Sequence, residues 1–154
     1  MIVVSDTSSV SALLRVGQGE LLERLYGEVL IPSAVRDELL LFFPHLPEFL
    51  HSRVVANVGL VGRLRIELDL GEAEAIVLAQ ETHADILLID ELKGRRVAER
   101  EGVPIIGLMG VLLQAKREGI ITAVRPLIDR LQTEADFHLS AGFKDSTLKR
   151  AGEL

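Results

Sequence analysis

The sequence predicts an α/β fold with a central, mostly parallel sheet, and two observations lead to that prediction. Short apolar segments such as residues 86–89 are bounded by polar residues, which is typical of strands buried on both faces. These segments alternate with stretches of helical periodicity, and this alternation favours parallel strands joined by right-handed crossovers. The chain has 154 residues, 48% of them hydrophobic, which suffices for one domain and argues against disorder.

The first predicted strand is the β-branched segment 2–4, followed by a cap-rich stretch at 5–9 and a short helix near 10–14. Leucines at 21, 22 and 25 indicate a second helix that ends at Gly27. A strand follows at 28–31, and Pro32 fits the first turn of the next helix. Residues 53–56 suggest a short extended piece, and leucines spaced four apart predict an amphipathic helix at 60–68.

A strong helix is predicted to open at Leu70, before the buried strand at 86–89. Residues 92–100 predict a helix that Gly102 ends, and residues 104–107 predict a short final strand. Apolar spacing then indicates a helix that includes residues 111–117 and another at 127–131. The polar tail favours a last helix, started by Ser140, that serves as a cover or a dimer contact.

Composition limits the classes of function. The absence of cysteine excludes disulfides, thiolate metal sites and cysteine nucleophiles, and it fits a reducing cytoplasm. The N-terminus lacks the features of a signal peptide, and no apolar run approaches the length of a membrane span. We therefore expect a cytoplasmic protein that does not associate with a membrane.

The net charge of −6 argues mildly against a nucleic-acid partner, but the distribution is uneven. Residues 1–90 contain 6 Lys/Arg and 14 Asp/Glu, whereas residues 91–154 contain 11 and 9. An acidic metal site beside a basic, phosphate-contacting flank has this pattern, and so does an ordinary surface with uneven charge.

Four carboxylates are candidates for a common site. Asp6 and Asp90 each follow a predicted strand, and parallel strands place their carboxyl ends at one edge of the sheet. Glu38 interrupts an apolar helix face, and Glu72 lies in the first turn of the helix that opens at Leu70. Three of the four have a simpler interpretation: a helix cap for Asp6, an arginine partner for Glu38, and a response to the helix dipole for Glu72.

Clustered carboxylates remain ionised only if their repulsion is offset, and Mg²⁺ or Mn²⁺ does this with oxygen ligands. Such an ion activates water for phosphodiester hydrolysis. Lys93, Arg95 and Arg96 are candidates for backbone-phosphate contacts, or else form a solvated helix start. Glycine-rich phosphate loops and nucleophilic serine motifs are absent, which disfavours nucleotide-binding enzymes and serine hydrolases.

Four ordered blocks of the sequence resemble the PIN-domain superfamily, in particular small prokaryotic PIN-like proteins related to VapC-type toxins. The blocks are VVSDTSSVSALL, IPSAVRDEL, GEAEAIVLAQETHAD and ILLIDELKGRRVAEREGVPIIG, within about residues 1–120. On this resemblance the family's acids correspond to Asp6, Glu38, Glu72 and Asp90, and its hydroxyl residue corresponds to Ser8.

The resemblance implies a three-layer α/β/α sandwich. It covers a core at about residues 1–120 of a single domain, and we expect residues 121–154 to form a helical cover. It also implies Mg²⁺- or Mn²⁺-dependent endoribonuclease activity with RNA as substrate, and a toxin role with a cognate antitoxin, often as a homodimer. Two positions depart from the family pattern. Glu72 stands where the family has Asp, with Glu74 as a competitor, and Lys93 stands where a later acid is common. These departures motivate the alternative of a catalytically weak or inactive module that binds RNA or protein.

Overall fold

A computed structural model describes residues 1–154 and has a five-stranded parallel sheet at its centre. The strand order is β3-β2-β1-β4-β5, so β1 lies in the middle with β4 beside it. The strands are β1 (Val3–Ser5), β2 (Val29–Pro32), β3 (Leu50–Arg53), β4 (Ile86–Leu88) and β5 (Ile105–Ile106). The predicted α/β class and parallel sheet are therefore confirmed.

Nine helices cover the two faces of the sheet. They are α1 (Thr7–Arg15), α2 (Glu20–Tyr26), α3 (Ser33–Leu40), α4 (Val58–Leu64), α5 (Leu70–Glu81), α6 (Leu92–Arg100), α7 (Leu108–Arg117), α8 (Arg125–Glu134) and α9 (Ala141–Arg150). None combines the length and the apolar character that a membrane crossing needs.

Each face of the sheet has its own hydrophobic core. Val3 of β1 belongs to the core shared with α1, α2, α7 and α8, whereas its neighbour Val4 belongs to the core shared with α4, α5 and α6. Successive side chains of a strand point to opposite faces, so one strand contributes to both cores. The result is the predicted three-layer α/β/α sandwich. Ile128 and Leu148 belong to the first core, so the C-terminal helices are part of it.

Three predicted boundaries were wrong. The strand expected at 53–56 lies instead at Leu50–Arg53, as β3. It is an edge strand in which only Leu50 is buried, so its sequence contains no apolar run that would mark its position. Pro32 ends β2 and caps α3 instead of lying in its first turn. The helix predicted at 60–68 begins two residues earlier and ends at Leu64.

The face proposed for α3 also differs from the prediction. The helix ends at Leu40, so Leu41 and Phe42 lie in a turn and are exposed instead of continuing an apolar stripe with Glu38. Asp37 of the same helix is exposed.

Candidate metal-binding site

Asp6 and Asp90 lie at the same edge of the sheet because their strands are adjacent and parallel. In the register of these strands, Ser5 is opposite Leu88. Asp6 directly follows β1, and Asp90 follows β4 by two residues. Ligands of open α/β sheets bind at this carboxyl edge.

One serine connects the two carboxylates. The backbone N–H of Ser9 donates to Asp6 Oδ1 at 3.2 Å, and the Ser9 hydroxyl donates to Asp90 Oδ2 at 2.5 Å. Ser8 adds a hydroxyl bond to Asp6 Oδ2 at 3.2 Å, and the first amide of α7, Leu108 N–H, donates to Asp90 Oδ1 at 2.9 Å. Asp6 is thus both the cap of α1 and one half of a carboxylate pair.

Burial makes this pair costly to ionise. It raises the pKa of Asp6 to about 7, with the charge of Asp90 acting in the same direction and the bonds from Ser9 and Ser8 opposing it. Burial also raises the pKa of Asp90, against the bonds from Ser9 and Leu108 and the charge of Arg95. A cation bound between the two would remove the repulsion and restore their ionised state.

Glu38 lies beside the start of α1 and the start of α5. A methyl group added at Gly71 would collide with Glu38 Oε1 and would lie 3.5 Å from Thr7 Oγ1. Burial raises the pKa of Glu38, the Thr7 hydroxyl lowers it, and the charge of Asp69 raises it. Thr7 Oγ1 is itself buried without a hydrogen bond of good geometry. The close approach of α3 to α5 therefore depends on the missing side chain at Gly71.

Glu72 belongs to a second acidic group, with Asp69 and Glu91. Carboxylate oxygens of the three residues lie within 4.8 Å of one another. Asp69 and Glu72 form the capping box of α5, with Glu72 N–H donating to Asp69 Oδ1 at 2.8 Å. Burial, followed by the neighbouring Glu91 carboxyl, raises the pKa of Glu72 to about 8. Its second oxygen, Oε2, is buried without a hydrogen-bond partner.

Glu74 is held elsewhere. Its Oε1 accepts a hydrogen bond from Ala34 N–H at 3.0 Å, near the start of α3. Glu74 is half-buried, because its carboxylate binds this helix terminus. Of the two candidate glutamates, Glu72 is the one that lies among other carboxylates.

The three basic candidates have different surroundings. A methyl group at Gly107 would lie 2.5 Å from Arg95 Nη1 and 3.2 Å from Asp90 Oδ1, so Arg95 is a neighbour of the buried pair. Lys93 is exposed, and its charge lowers the pKa of Glu67 together with the stronger effects of Arg100. Arg96 is exposed and forms no ion pair.

The donor chemistry of both acidic groups suits Mg²⁺ or Mn²⁺. All the candidate ligands are carboxylate or hydroxyl oxygens, which these hard cations prefer. The unpartnered Glu72 Oε2 is the kind of buried acceptor that a cation satisfies. Asp6 and Asp90 form one group, Glu72 lies in the other, and Glu38 is electrostatically coupled to Asp69 of that second group.

The sequence does not identify several residues that shape this region. Ser9 and the amide of Leu108 orient the buried pair, but neither has a sequence signal that points to this role. Asp69 had a signal, because an Asp three residues before a Glu is the pattern of a capping box.

Comparison with known families gives one match. A family model described as a PIN domain covers residues 2–153, nearly the whole chain. Comparisons with curated proteins and with solved structures give no match.

Proposed function

We propose that this chain, which belongs to the PIN-domain family, is a metal-dependent endoribonuclease. PIN domains are generally nucleases, and they typically use divalent metals. The proposal assigns Asp6, Glu38, Glu72 and Asp90 as the metal-holding and catalytic residues. The observation that supports it most is the pair of a buried Asp6 and a half-buried Asp90 at adjacent strand ends, bridged by Ser9.

In this proposal the chain itself arranges the reaction. Ser9 and the amide of Leu108 fix the two aspartates, so their oxygens need little reorganisation. A bound Mg²⁺ or Mn²⁺ supplies a coordinated water of lowered pKa and offsets charge on the phosphate. Arg95 lies beside Asp90, so it is placed to bind an oxygen of a substrate phosphate held at this site. Ser8 is exposed at the same edge.

RNA cleavage tests the proposal directly. Purified protein with Mn²⁺ should cleave labelled single-stranded RNAs of mixed sequence, and EDTA should stop the reaction. Asp90→Asn should abolish cleavage, whereas Asp145→Asn, which changes an exposed acid on α9, should not. Cleavage that survives in Asp90→Asn would refute the assigned site.

The biological role that we propose is that of a cytoplasmic toxin neutralised by an antitoxin protein, with the chain acting as a homodimer. Exposed apolar side chains at the end of α3, Leu41 and Phe42, offer a surface that a partner would cover. Expression of the wild-type chain should arrest growth, and expression of Asp90→Asn at the same level should not. If both proteins arrest growth, the toxicity does not depend on nuclease chemistry, and the proposed role is contradicted.

A second candidate function is an RNA- or protein-binding module without catalysis. It is favoured by the division of the acids, since Glu72 clusters with Asp69 and Glu91 instead of with Asp90. Metal titration separates the candidates. A preformed nuclease site should be stabilised by Mn²⁺, by about 2.7 kcal/mol at a concentration 100 times Kd. A binding module should show no such stabilisation.

A further inference from the structure

A large cavity opens beside Asp90 on the side of the sheet occupied by α1 and α7. Its volume is about 1010 Å³, and its far wall is formed by residues 135–150 of the C-terminal segment. We call it the arginine groove, after the three arginines that line it, Arg15, Arg95 and Arg150. Its volume is at the upper end of small-molecule pockets, about 300–1,000 Å³, so it has room for more than one nucleotide-sized group.

Two of the three arginines of the groove, Arg15 and Arg150, have no acidic partner, and Arg95 lies beside Asp90. None of the three forms an ion pair or a side-chain hydrogen bond to a carboxylate, unlike Arg36, Arg100 and Arg130 elsewhere on the surface. The guanidinium carbon of Arg15 lies over an aromatic ring, 5.7 Å from the centroid of Phe42. Guanidinium groups that remain free around one cavity are available to bind phosphates.

Aromatic side chains are interleaved with these cations. Phe143 at the start of α9 is 52% exposed and lines the groove, and Phe137 lines it while half-buried against the core. Rings beside free guanidinium groups form the combination by which single-stranded nucleic acids are held, with bases stacked on rings and phosphates bound by cations.

The cationic character continues away from the acids. A smaller cavity of about 270 Å³ shares Leu113 and Arg150 with the groove. Its other lining residues are Lys116, Arg117 and Ala151, with no acid among them. Of the acids that line the groove, Asp90 belongs to the proposed reaction site and Glu91 is its neighbour in the chain, and Asp136 is the exception.

The C-terminal wall is fixed in place. Glu153 accepts hydrogen bonds from Val124 N–H at 2.7 Å and Arg125 N–H at 3.0 Å, and Lys116 binds it at 2.9 Å. Burial alone would raise the pKa of Glu153, but these bonds lower it to about 2. Lys144 of α9 is paired with Asp129 of α8 at 2.7 Å. The groove is thus pre-formed, which reduces the entropic cost of binding.

We propose that the arginine groove binds the single-stranded segment that flanks the cleaved phosphodiester. Arg15 and Arg150 contact its phosphates, and Phe143 stacks on a base. The proposal rests on the proposed nuclease function, because the groove begins at Asp90. An acidic peptide would also suit free arginines, but the exposed ring and the continuity with the reaction site favour a polynucleotide.

Binding of a fluorescent 12-nucleotide RNA in EDTA tests the groove without cleavage. Arg150→Ala should weaken binding and reduce the slope of log K against log salt by about 0.7, the contribution of one phosphate contact to a single strand. Lys149→Ala is the matched control, because Lys149 is exposed on the same helix but does not line the groove. Phe143→Ala should weaken binding by roughly 5- to 150-fold, from the value of one stacked base. Ile66→Ala, which truncates an exposed side chain in the turn after α4, should not.

The outcomes separate this proposal from the nuclease proposal. Weaker RNA binding by Arg150→Ala and Phe143→Ala supports the groove even if no RNA is cleaved, in which case only the nuclease function fails. Wild-type cleavage together with unchanged binding by both variants overturns the groove alone. Tighter binding of a perfect RNA duplex than of the single strand would overturn the stacking role. A poly-glutamate peptide that binds more tightly than RNA and depends on Arg150 would overturn the polynucleotide in favour of a protein partner.

Discussion

Replacing Asp6 by Asn should stabilise the metal-free protein at neutral and alkaline pH while destroying its proposed function. Asn retains the helix cap, because its side-chain oxygen can still accept from Ser9 N–H. The substitution removes a buried charge whose ionisation is opposed by burial and by Asp90. The stability of the apo protein and the ability to hold a metal ion are thus in conflict at this position.

The magnitude follows from the pKa of Asp6. Folding raises this pKa from 3.8 to about 7, so between these pH values the native chain holds a proton that the unfolded chain releases. Stability therefore falls as pH rises through this window and is constant above it. At about 1.4 kcal/mol per pKa unit, the full effect is roughly 4 kcal/mol. The advantage of Asp6→Asn should be close to zero near pH 4 and should reach roughly 2 to 4 kcal/mol above pH 7.

Urea unfolding in EDTA from pH 4 to pH 8.5 measures this difference. The variant should retain part of the pH dependence of stability that wild type has, because the pKa of Glu72 is also raised, to about 8. Asp145→Asn, at an exposed acid, should change the unfolding free energy by less than about 0.5 kcal/mol at every pH. Added Mn²⁺ should stabilise wild type and not Asp6→Asn. If the variant is less stable than wild type at pH 8 in EDTA, the argument that ionised Asp6 destabilises the metal-free protein is refuted.

Three further substitutions extend the test. Asp90→Asn should lower RNA cleavage by at least roughly 100-fold without loss of helical circular dichroism. Gly71→Ala should move the Glu38 carboxylate and weaken Mn²⁺ binding, measured by calorimetry, roughly tenfold. The free energy of unfolding should change by only about 1 kcal/mol. An unaltered Mn²⁺ affinity would contradict a role for that carboxylate. Glu153→Gln should cost about 1–3 kcal/mol in urea unfolding by weakening the bond to Lys116. That cost should be present above pH 4.5 and vanish as pH falls towards 2, and a constant cost would contradict it.

The parallel sheet and most helices could be predicted from the sequence because they have strong local signals. Residues 86–89 are apolar throughout since β4 is buried between two layers, and α5 was predicted to begin at Leu70, where it does begin. β3 had no such signal, because it is held by main-chain pairing with β2 and exposes three of its four side chains. Main-chain pairing at a sheet edge leaves little trace in side-chain composition.

For the candidate site, the sequence indicated the shared edge but not the grouping of the acids. Two strands that end in Asp predict proximity only if the strands are neighbours, and the order of strands is a property of the whole chain. The association of Glu72 with Glu91 depends on how closely α5 and α6 approach, which no local pattern records. The bridge formed by Ser9 likewise needs Asp6 to cap α1 and the first turn of this helix to face the end of β4.

Three glycines explain how the charged side chains come so close to neighbouring backbone. A methyl group at Gly71 would collide with Glu38, and one at Gly107 would lie 2.5 Å from Arg95 Nη1. A methyl group at Gly94 would lie 3.0 Å from Glu72 Oε2 and 2.7 Å from a methyl carbon of Ile89. All three glycines have negative φ, so their missing side chain, and not their backbone freedom, is what the site requires. Because each glycine belongs to a different part of the chain, the space around the carboxylates is created jointly by α5, α6 and the residue that caps α7.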